Sequence, residues 1–312
     1  GRDFIGQAIK AGAAGVLYDK NNFDWRKEWE IPHLGIDKLK KILPEIAGSF
    51  YGNPSSNLKL VGVTGTNGKS TTCKLISHLL KKNKFKVLIG GNIGTPILDL
   101  KIKKDSYVVI EASSFQLSHS KFIRPDYAFL LNITNDHLDW HGNLLNYINS
   151  KLKIFMLQKK NQFALVNNKL KKILKKRNFA SKLIIPKEKS YKKIKHKVKN
   201  YYLKLNINDE NMSFVYAFSK LLKISDKRFL LAIDSFIGLS HRYEIFLKRK
   251  NIVFINDSKA TSFESTKFAL SNSKNIYWIL GGLPKKNDKI VLSGIKKNII
   301  KNYLIGKNIK FF

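Results

Sequence analysis

A single cysteine, Cys73, and two methionines occur in 312 residues. A lone thiol excludes an internal disulfide and a cysteine-rich metal site, and it fits a reducing cytoplasm. No run approaches the ~18 apolar residues of a membrane span. Asp3 and Lys10 interrupt the opening stretch, which therefore does not read as a signal peptide. The first residue is Gly rather than Met, which reads as a shortened start. Acidic residues are few: 22 Asp and Glu against 58 Lys and Arg, a formal charge of +36. Such an excess points either to a polyanionic partner or to a lysine background spread over solvated faces. The lysines occur nearly everywhere. They are densest in 169–199, a stretch without the interleaved aromatics of a single-strand platform. The expectation is no nucleic-acid partner and no membrane, with a field that attracts anionic substrates such as nucleotides.

What is present organises the chain. Hydrophobic residues make up 43%, enough to bury cores and exclude global disorder. Three segments are expected. Residues 1–57 read as a partial α/β domain, with a helix in "FIGQAIKAGAAG", a short strand "VLYD" and a second helix in "IDKLKKILPEIAGSFYG" that Pro44 breaks. "YGNPSSN" is a turn-rich linker. Residues 58–240 alternate strand and helix, with strands at 58–63, 86–90, 107–111, 127–132 and 163–167 and a helix at 69–83. Alternation of this kind predicts a mostly parallel sheet with helices on both faces, and ligands beyond the carboxyl ends of its strands. Residues 241–312 begin another α/β unit: strand 252–256, a helix near 262–271, strand 276–280. So few strands read as an incomplete Rossmann-like domain, cut short at its C-terminus.

The stretch "LKLVGVTGTNGKSTTCKL", residues 58–75, carries the first chemistry. A strand, a glycine-containing turn and a helix start let backbone N–H groups and the helix dipole converge on a phosphate. Gly65 and Gly68 permit the tight turn around Thr66 and Asn67. Lys69 reaches the β- and γ-phosphates, and the hydroxyl of Ser70 or Thr71 binds Mg²⁺. The strict G-x-x-x-x-G-K-[ST] pattern is not met, because position 63 is Val. The bland alternative is a Gly-rich helix start with a surface lysine.

"TGTNGKST" resembles the ATP loop of the Mur ligases, the ATP-dependent amino-acid ligases of peptidoglycan synthesis. "GNIGTPIL" (91–98), "EASSFQL" (111–117), "LNITNDHLDWHG" (131–142), "GLSHRYE" (238–244), "NDSKATS" (256–262) and "LGGLPKK" (280–286) fit the same family in matching order. They resemble most the branch that joins D-glutamate to UDP-N-acetylmuramoyl-L-alanine. The N-terminal stretch departs from that branch: "GRDFIGQAIKAGAAGVLYD" resembles the branch that adds a diamino acid to the next intermediate.

The resemblance implies a three-domain cytoplasmic α/β ligase, monomeric, using ATP and Mg²⁺. Residues 1–57 would hold the UDP-substrate, 58–240 ATP, and 241–312 the amino acid. A substrate carboxylate attacks the γ-phosphate of ATP, and the incoming amine then displaces phosphate from the acyl phosphate. Lys69, Glu111, His137 and Lys151 are the implied catalytic residues. Glu111 ends a strand and suits an oxygen-loving Mg²⁺, although alone it reads equally as a capping or salt-bridging carboxylate. His137 is implied at a second Mg²⁺. Its spacing from His141 also suits zinc, but no third ligand accompanies the pair. Lys151 corresponds to a carbamylated lysine of the family, which would be an anionic oxygen ligand; otherwise it is one more surface lysine. Asn92 and Thr95 are implied at the muramoyl substrate, or form a structural turn. Asn208 and Asn211 are implied at the nucleotide, or cap a helix. Arg242 and Asp257 would contact ATP. Lys259, Thr261 and Lys285 would face D-glutamate, a dicarboxylate suited to cations. Cys73 packs in the helix after the loop.

Three rivals stand beside this reading: a folylpolyglutamate synthase relative, a nucleic-acid-binding NTPase motivated by the charge, and a degenerate nucleotide binder without catalysis.

Overall fold

A computed structural model of the chain describes residues 2–50, 58–175, 177–260, 262–283 and 291–312. The backbone divides into two compact units, one of residues 1–58 with 102–105, the other of 59–101 with 106–312.

In the smaller unit, helix α1 (Ile5–Lys10) leads to β1 (Val16–Asp19), which pairs in parallel with β2 (His33–Ile36), and α2 (Leu39–Phe50) follows. The expected break at Pro44 does not occur; the helix runs on through it. Aromatic rings between and on the two strands form a partly exposed cluster. Trp25 stacks on His33 at 3.9 Å, with Tyr18 and Trp29 each 5.1 Å from Trp25.

The larger unit is built on six strands: β3 (Lys59–Thr64), β4 (Val87–Gly91), β5 (Tyr107–Glu111), β6 (Tyr127–Leu130), β7 (Phe163–Val166) and β8 (Lys182–Ile184). All are parallel, in the order β4-β5-β3-β6-β7-β8. Period-two alternation explains both faces. Val61, Val63, Val109, Phe129 and Leu165 point into one buried cluster, while Ala128, Leu130, Ala164 and Val166 point into the other. Among the helices, α3 (Lys69–Lys82) packs on the first face and α4 (Ser114–His119) on the second. Next come α5 (Leu138–His141), α6 (Leu144–Met156) and α7 (Lys171–Lys175), and α6 covers the second face. Then α8 (Glu188–Lys195), α9 (Tyr201–Lys204), α10 (Asp209–Leu221) and α11 (Asp226–Asp234) close the first. Cys73 is fully buried in α3.

Beyond α11, β9 (Glu244–Arg249) and β10 (Ile252–Asn256) form an antiparallel hairpin. Helix α12 (Phe263–Ser271) follows, and β11 (Ile276–Gly281) pairs in parallel with β12 (Ile299–Ile305). The strand expected at 127–132 stops at Leu130, and β2, β8, β9 and β12 were not anticipated.

The strand order puts β3 between β5 and β6. Because all three run parallel, the residues after β3, β5 and β6 gather at one carboxyl edge, the position where open α/β sheets bind ligands.

Candidate active site

The turn after β3 fixes the site. Gly68 has φ of 79°, the left-handed region that glycine enters most easily. A Cβ there would also land on the side-chain oxygen of Asn211, well inside van der Waals contact. The left-handed backbone and the displacement of the Asn211 amide both act against a side chain there. Gly68→Ala should destabilise the protein by about 1–3 kcal/mol and weaken nucleotide binding; a urea melt and an ATP titration of the variant check both.

Lys69 opens α3 and its ammonium folds back onto its own loop, donating to the carbonyls of Gly65 (3.0 Å) and Thr66 (2.9 Å). Lys151, on α6, donates to the same Gly65 carbonyl at 2.9 Å, although only 1% of it is exposed. Burial lowers the pKa of both amines. For Lys69 the charges of Glu111 and Asp136 oppose the shift, and Arg242 adds to it. Lys151 falls to about 7, through burial first and then the charge of Lys69, with Asp136 opposing. At the shared carbonyl, burial disfavours the charged form of Lys151 most, and the nearby Lys69 charge adds to it.

The hydroxyls of the loop divide their tasks. Thr66 meets the Tyr147 hydroxyl at 3.0 Å and accepts from the Thr134 N–H. Thr71 is 6% exposed and interacts with the phenol of Tyr202. Thr72 donates to Asn211 at 3.3 Å. Ser70 is only half-buried, in the first turn of α3. It is thus the loop hydroxyl open to a ligand.

Glu111 ends β5 beside the loop, paired in register with Val63 and Gly91. It is 2% exposed. Its Oε1 accepts from the Asn92 amide at 2.9 Å, and its Oε2 is buried with no partner. A buried carboxylate oxygen without a donor is costly, and a cation would relieve it. Mg²⁺ needs only one or two carboxylates when phosphates complete its shell. The donors Glu111 and Ser70 therefore fit that ion. Among the described residues no three His, Cys, Asp or Glu side chains cluster as a protein-only metal cage.

His137 has φ of 54° and its ring lies between Asp136, at 3.4 Å, and Phe115, at 4.8 Å between centroids. His141 is buried, meeting the Ser114 hydroxyl at 3.0 Å, with its pKa lowered by burial and then by His137 and Lys151. Thr95 closes its turn by accepting the Gly91 N–H at 3.1 Å. An apolar cleft of about 510 Å³ is lined by Ile97, Ile110, Phe115, Leu117 and Ile123.

Arg242 is exposed, and its charge acts on Lys69, on Tyr202 and on Asp257. Asp257 accepts from the Tyr243 N–H at 2.9 Å; burial raises its pKa against that bond and Arg242. Asn211 touches the loop, whereas Asn208 is buried and donates to the Tyr202 carbonyl at 2.7 Å. Lys259 is exposed and linked through its backbone N–H to His241. Thr261 and Lys285 lie outside the described residues.

Sequence reading passed over two groups. Asn132, just past β6, holds Asn67 through both its amide oxygen (2.8 Å) and its amide nitrogen (3.2 Å). Asp136 acts on both lysines. Both stand in "LNITNDH", beside His137.

A glycine-bearing turn between strand and helix, with a buried carboxylate, a buried lysine and a half-buried one at its edge, defines a class. The model of the Mur ligase middle domain matches residues 63–232, more than half of the chain. The chain belongs to the Mur ligase family. Three relatives named UDP-N-acetylmuramoylalanine--D-glutamate ligase illustrate the likeness. The protein of Wolbachia sp. subsp. Brugia malayi is 37% identical over 84% of this chain and 64% of its own length. That of Rickettsia prowazekii is 38% identical over 83% and 62%, and that of Wolbachia pipientis wMel 33% identical over 96% and 76%. The chain thus spans a little under two thirds of the first two. Among solved structures, the MurF ligase of Thermotoga maritima in complex with ADP superposes with a TM-score of 0.63 at 18% identity, covering 97% of this chain and 82% of that one. A UDP-N-acetylmuramoyl-L-alanyl-D-glutamate--2,6-diaminopimelate ligase does so with 0.63 at 16%, covering 99% and 73%. At these identities the likeness is one of fold.

Proposed function

We propose that the chain carries the ATP-dependent joining of D-glutamate to UDP-N-acetylmuramoyl-L-alanine, in the cytoplasm and as a monomer. The observation that carries this reading is the convergence of Lys69 and Lys151 on the Gly65 carbonyl, beside a Glu111 carboxylate with one oxygen unpartnered. Transfer of a phosphoryl group to a carboxylate brings anion to anion, and the catalyst must supply positive charge and alignment. Mg²⁺ held by Glu111 and Ser70, with His137 toward a second ion, would neutralise phosphate oxygens.

The chain's own groups do the rest. Lys69 leaves its loop carbonyls for the β- and γ-phosphates, and Arg242 adds charge from the third segment. Asn211 borders the loop and Asp257 lies near Arg242, both suited to the nucleoside. Asn92 orients Glu111 and, with Thr95, faces the muramoyl substrate. The substrate carboxylate attacks the γ-phosphorus, ADP leaves, and the D-glutamate amine displaces phosphate from the acyl carbon. Lys259, with Thr261 and Lys285, supplies cations for the two carboxylates of D-glutamate. The amine of Lys151, with a pKa of about 7, is about half uncharged at neutral pH, and that fraction is able to add CO₂. The resulting carbamate would place an anionic oxygen at the site. Segments 1–57, 58–240 and 241–312 take the UDP end, ATP and the amino acid in turn.

The second reading, addition of a diamino acid to the D-glutamyl intermediate, draws support from the N-terminal stretch. An amino-acid panel with both muramoyl acceptors decides. Phosphate release requiring UDP-N-acetylmuramoyl-L-alanine together with D-glutamate is expected. Incorporation of diaminopimelate or lysine on the longer acceptor, and none of D-glutamate, would overturn the proposal.

A further inference from the structure

We propose that Glu210 is a positioning residue for the phosphate loop, acting through Asn132; this rests on reading Gly65–Ser70 as the loop that holds nucleotide phosphates. Asn132 contacts that loop with three of its atoms. Its carbonyl accepts the Thr66 N–H at 3.0 Å, its Oδ1 accepts the Asn67 N–H at 2.8 Å, and its Nδ2 donates to the Asn67 carbonyl at 3.2 Å. The side-chain amide thus mimics a neighbouring strand and fixes the peptide plane of Asn67. The second hydrogen of Nδ2 goes to the Glu210 carboxylate at 2.7 Å. That contact links residues 78 apart and ties the amide to α10.

The next residue on the same helix, Asn211, lies over Gly68 and accepts from Thr72. Helix α10 therefore grips the loop on two sides, with Glu210 behind Asn67 and Asn211 against Gly68. That bond fixes the amide by the direction of its acceptor, which a neutral oxygen at the same place would also supply. Its product is orientation: a rotated Asn67 peptide would turn its N–H away from the loop interior. Glu210 touches neither nucleotide nor substrate in this account.

A simpler role for Glu210 is an acid in the first turn of α10, favoured by the helix dipole. The two roles separate by substitution. Glu210→Gln removes the charge but keeps an oxygen that accepts the Asn132 N–H; Glu210→Ala removes both. ATP binding with Mg²⁺ is measured by titration on the full chain, and exchange of the Asn67 amide by hydrogen–deuterium exchange. Glu210→Ala should weaken ATP binding about tenfold and speed exchange at Asn67, with β3 amides unchanged. Glu210→Gln should stay within about threefold of wild type. In an Asn132→Ala background, Glu210→Ala should add nothing. Equal losses in the Gln and Ala variants would assign the effect to charge and overturn the inference, as would wild-type ATP binding in Glu210→Ala. Should Glu210→Ala fail to fold, Glu210→Met, which keeps the length of the side chain without an acceptor for Asn132, takes its place with the same expected losses. A wild-type chain that binds no ATP would instead overturn the loop reading itself.

Discussion

Glu111→Gln should remove the magnesium dependence of ATP binding and cut phosphate release by on the order of a thousandfold, with no loss of stability. The argument is a contrast of two costs. In the protein without metal, Oε2 of Glu111 is buried and unpartnered. A buried carboxylate oxygen without a donor is more costly than a buried neutral amide of the same shape. Glutamine retains an oxygen for the Asn92 amide that now bonds Oε1 at 2.9 Å. The variant should therefore melt at the same temperature as wild type or a few degrees higher. With ATP present, added Mg²⁺ should raise the melting temperature of wild type, since a ligand that binds only the folded state stabilises it by mass action. It should leave the variant unmoved. A structural Glu111 gives the opposite pattern: a clear loss of melting temperature and magnesium effects intact. That pattern would remove Glu111 from the site.

The parts of the structure legible in the sequence share a physical cause. Strands β3 and β5 are apolar runs buried on both faces and ended by Gly65 and by Glu111, so composition alone marks them. The loop was readable because Gly68, Lys69 and Ser70 are adjacent in the chain. The strands missed are β2, β8, β9 and β12. Strands β2 and β8 are only four and three residues long, and β9 and β12 are exposed along most of their length, so no alternation of buried and exposed positions marks them. The contact from Asn132 to Glu210 spans 78 residues, beyond any spacing rule. Hydroxyl choice was equally hidden: "KSTT" offers three candidates, and only packing sets Thr71 against Tyr202 and Thr72 against Asn211. Lys151 shows the limit most clearly. In the sequence it is one of 58 basic residues; in the fold it is nearly as buried as the core around it.

That burial makes Lys151→Met informative in two ways. The substitution keeps a long side chain in the pocket beside the Tyr147 ring, which lies 4.6 Å from the Lys151 ammonium. Activity should fall to background, because neither an amine nor a carbamate remains beside Gly65. Stability should move the other way, and with pH. In the folded protein the pKa of Lys151 is lowered from 10.5 to about 7. Between those values the unfolded chain holds a proton that the folded chain does not, so wild-type stability rises with pH across that window. The favourable contribution is complete above 10.5 and is lost as the pH falls through about 7, where the folded state must protonate a buried amine. Methionine has no such proton. The variant should thus be more stable than wild type at pH 6.5, by on the order of a few kcal/mol. The advantage should shrink steadily toward pH 10. Urea melts of both proteins in CO₂-depleted buffer measure it. An advantage that does not change with pH would mean that Lys151 keeps an ordinary amine in the fold, and the route to a carbamate at neutral pH would fail with it.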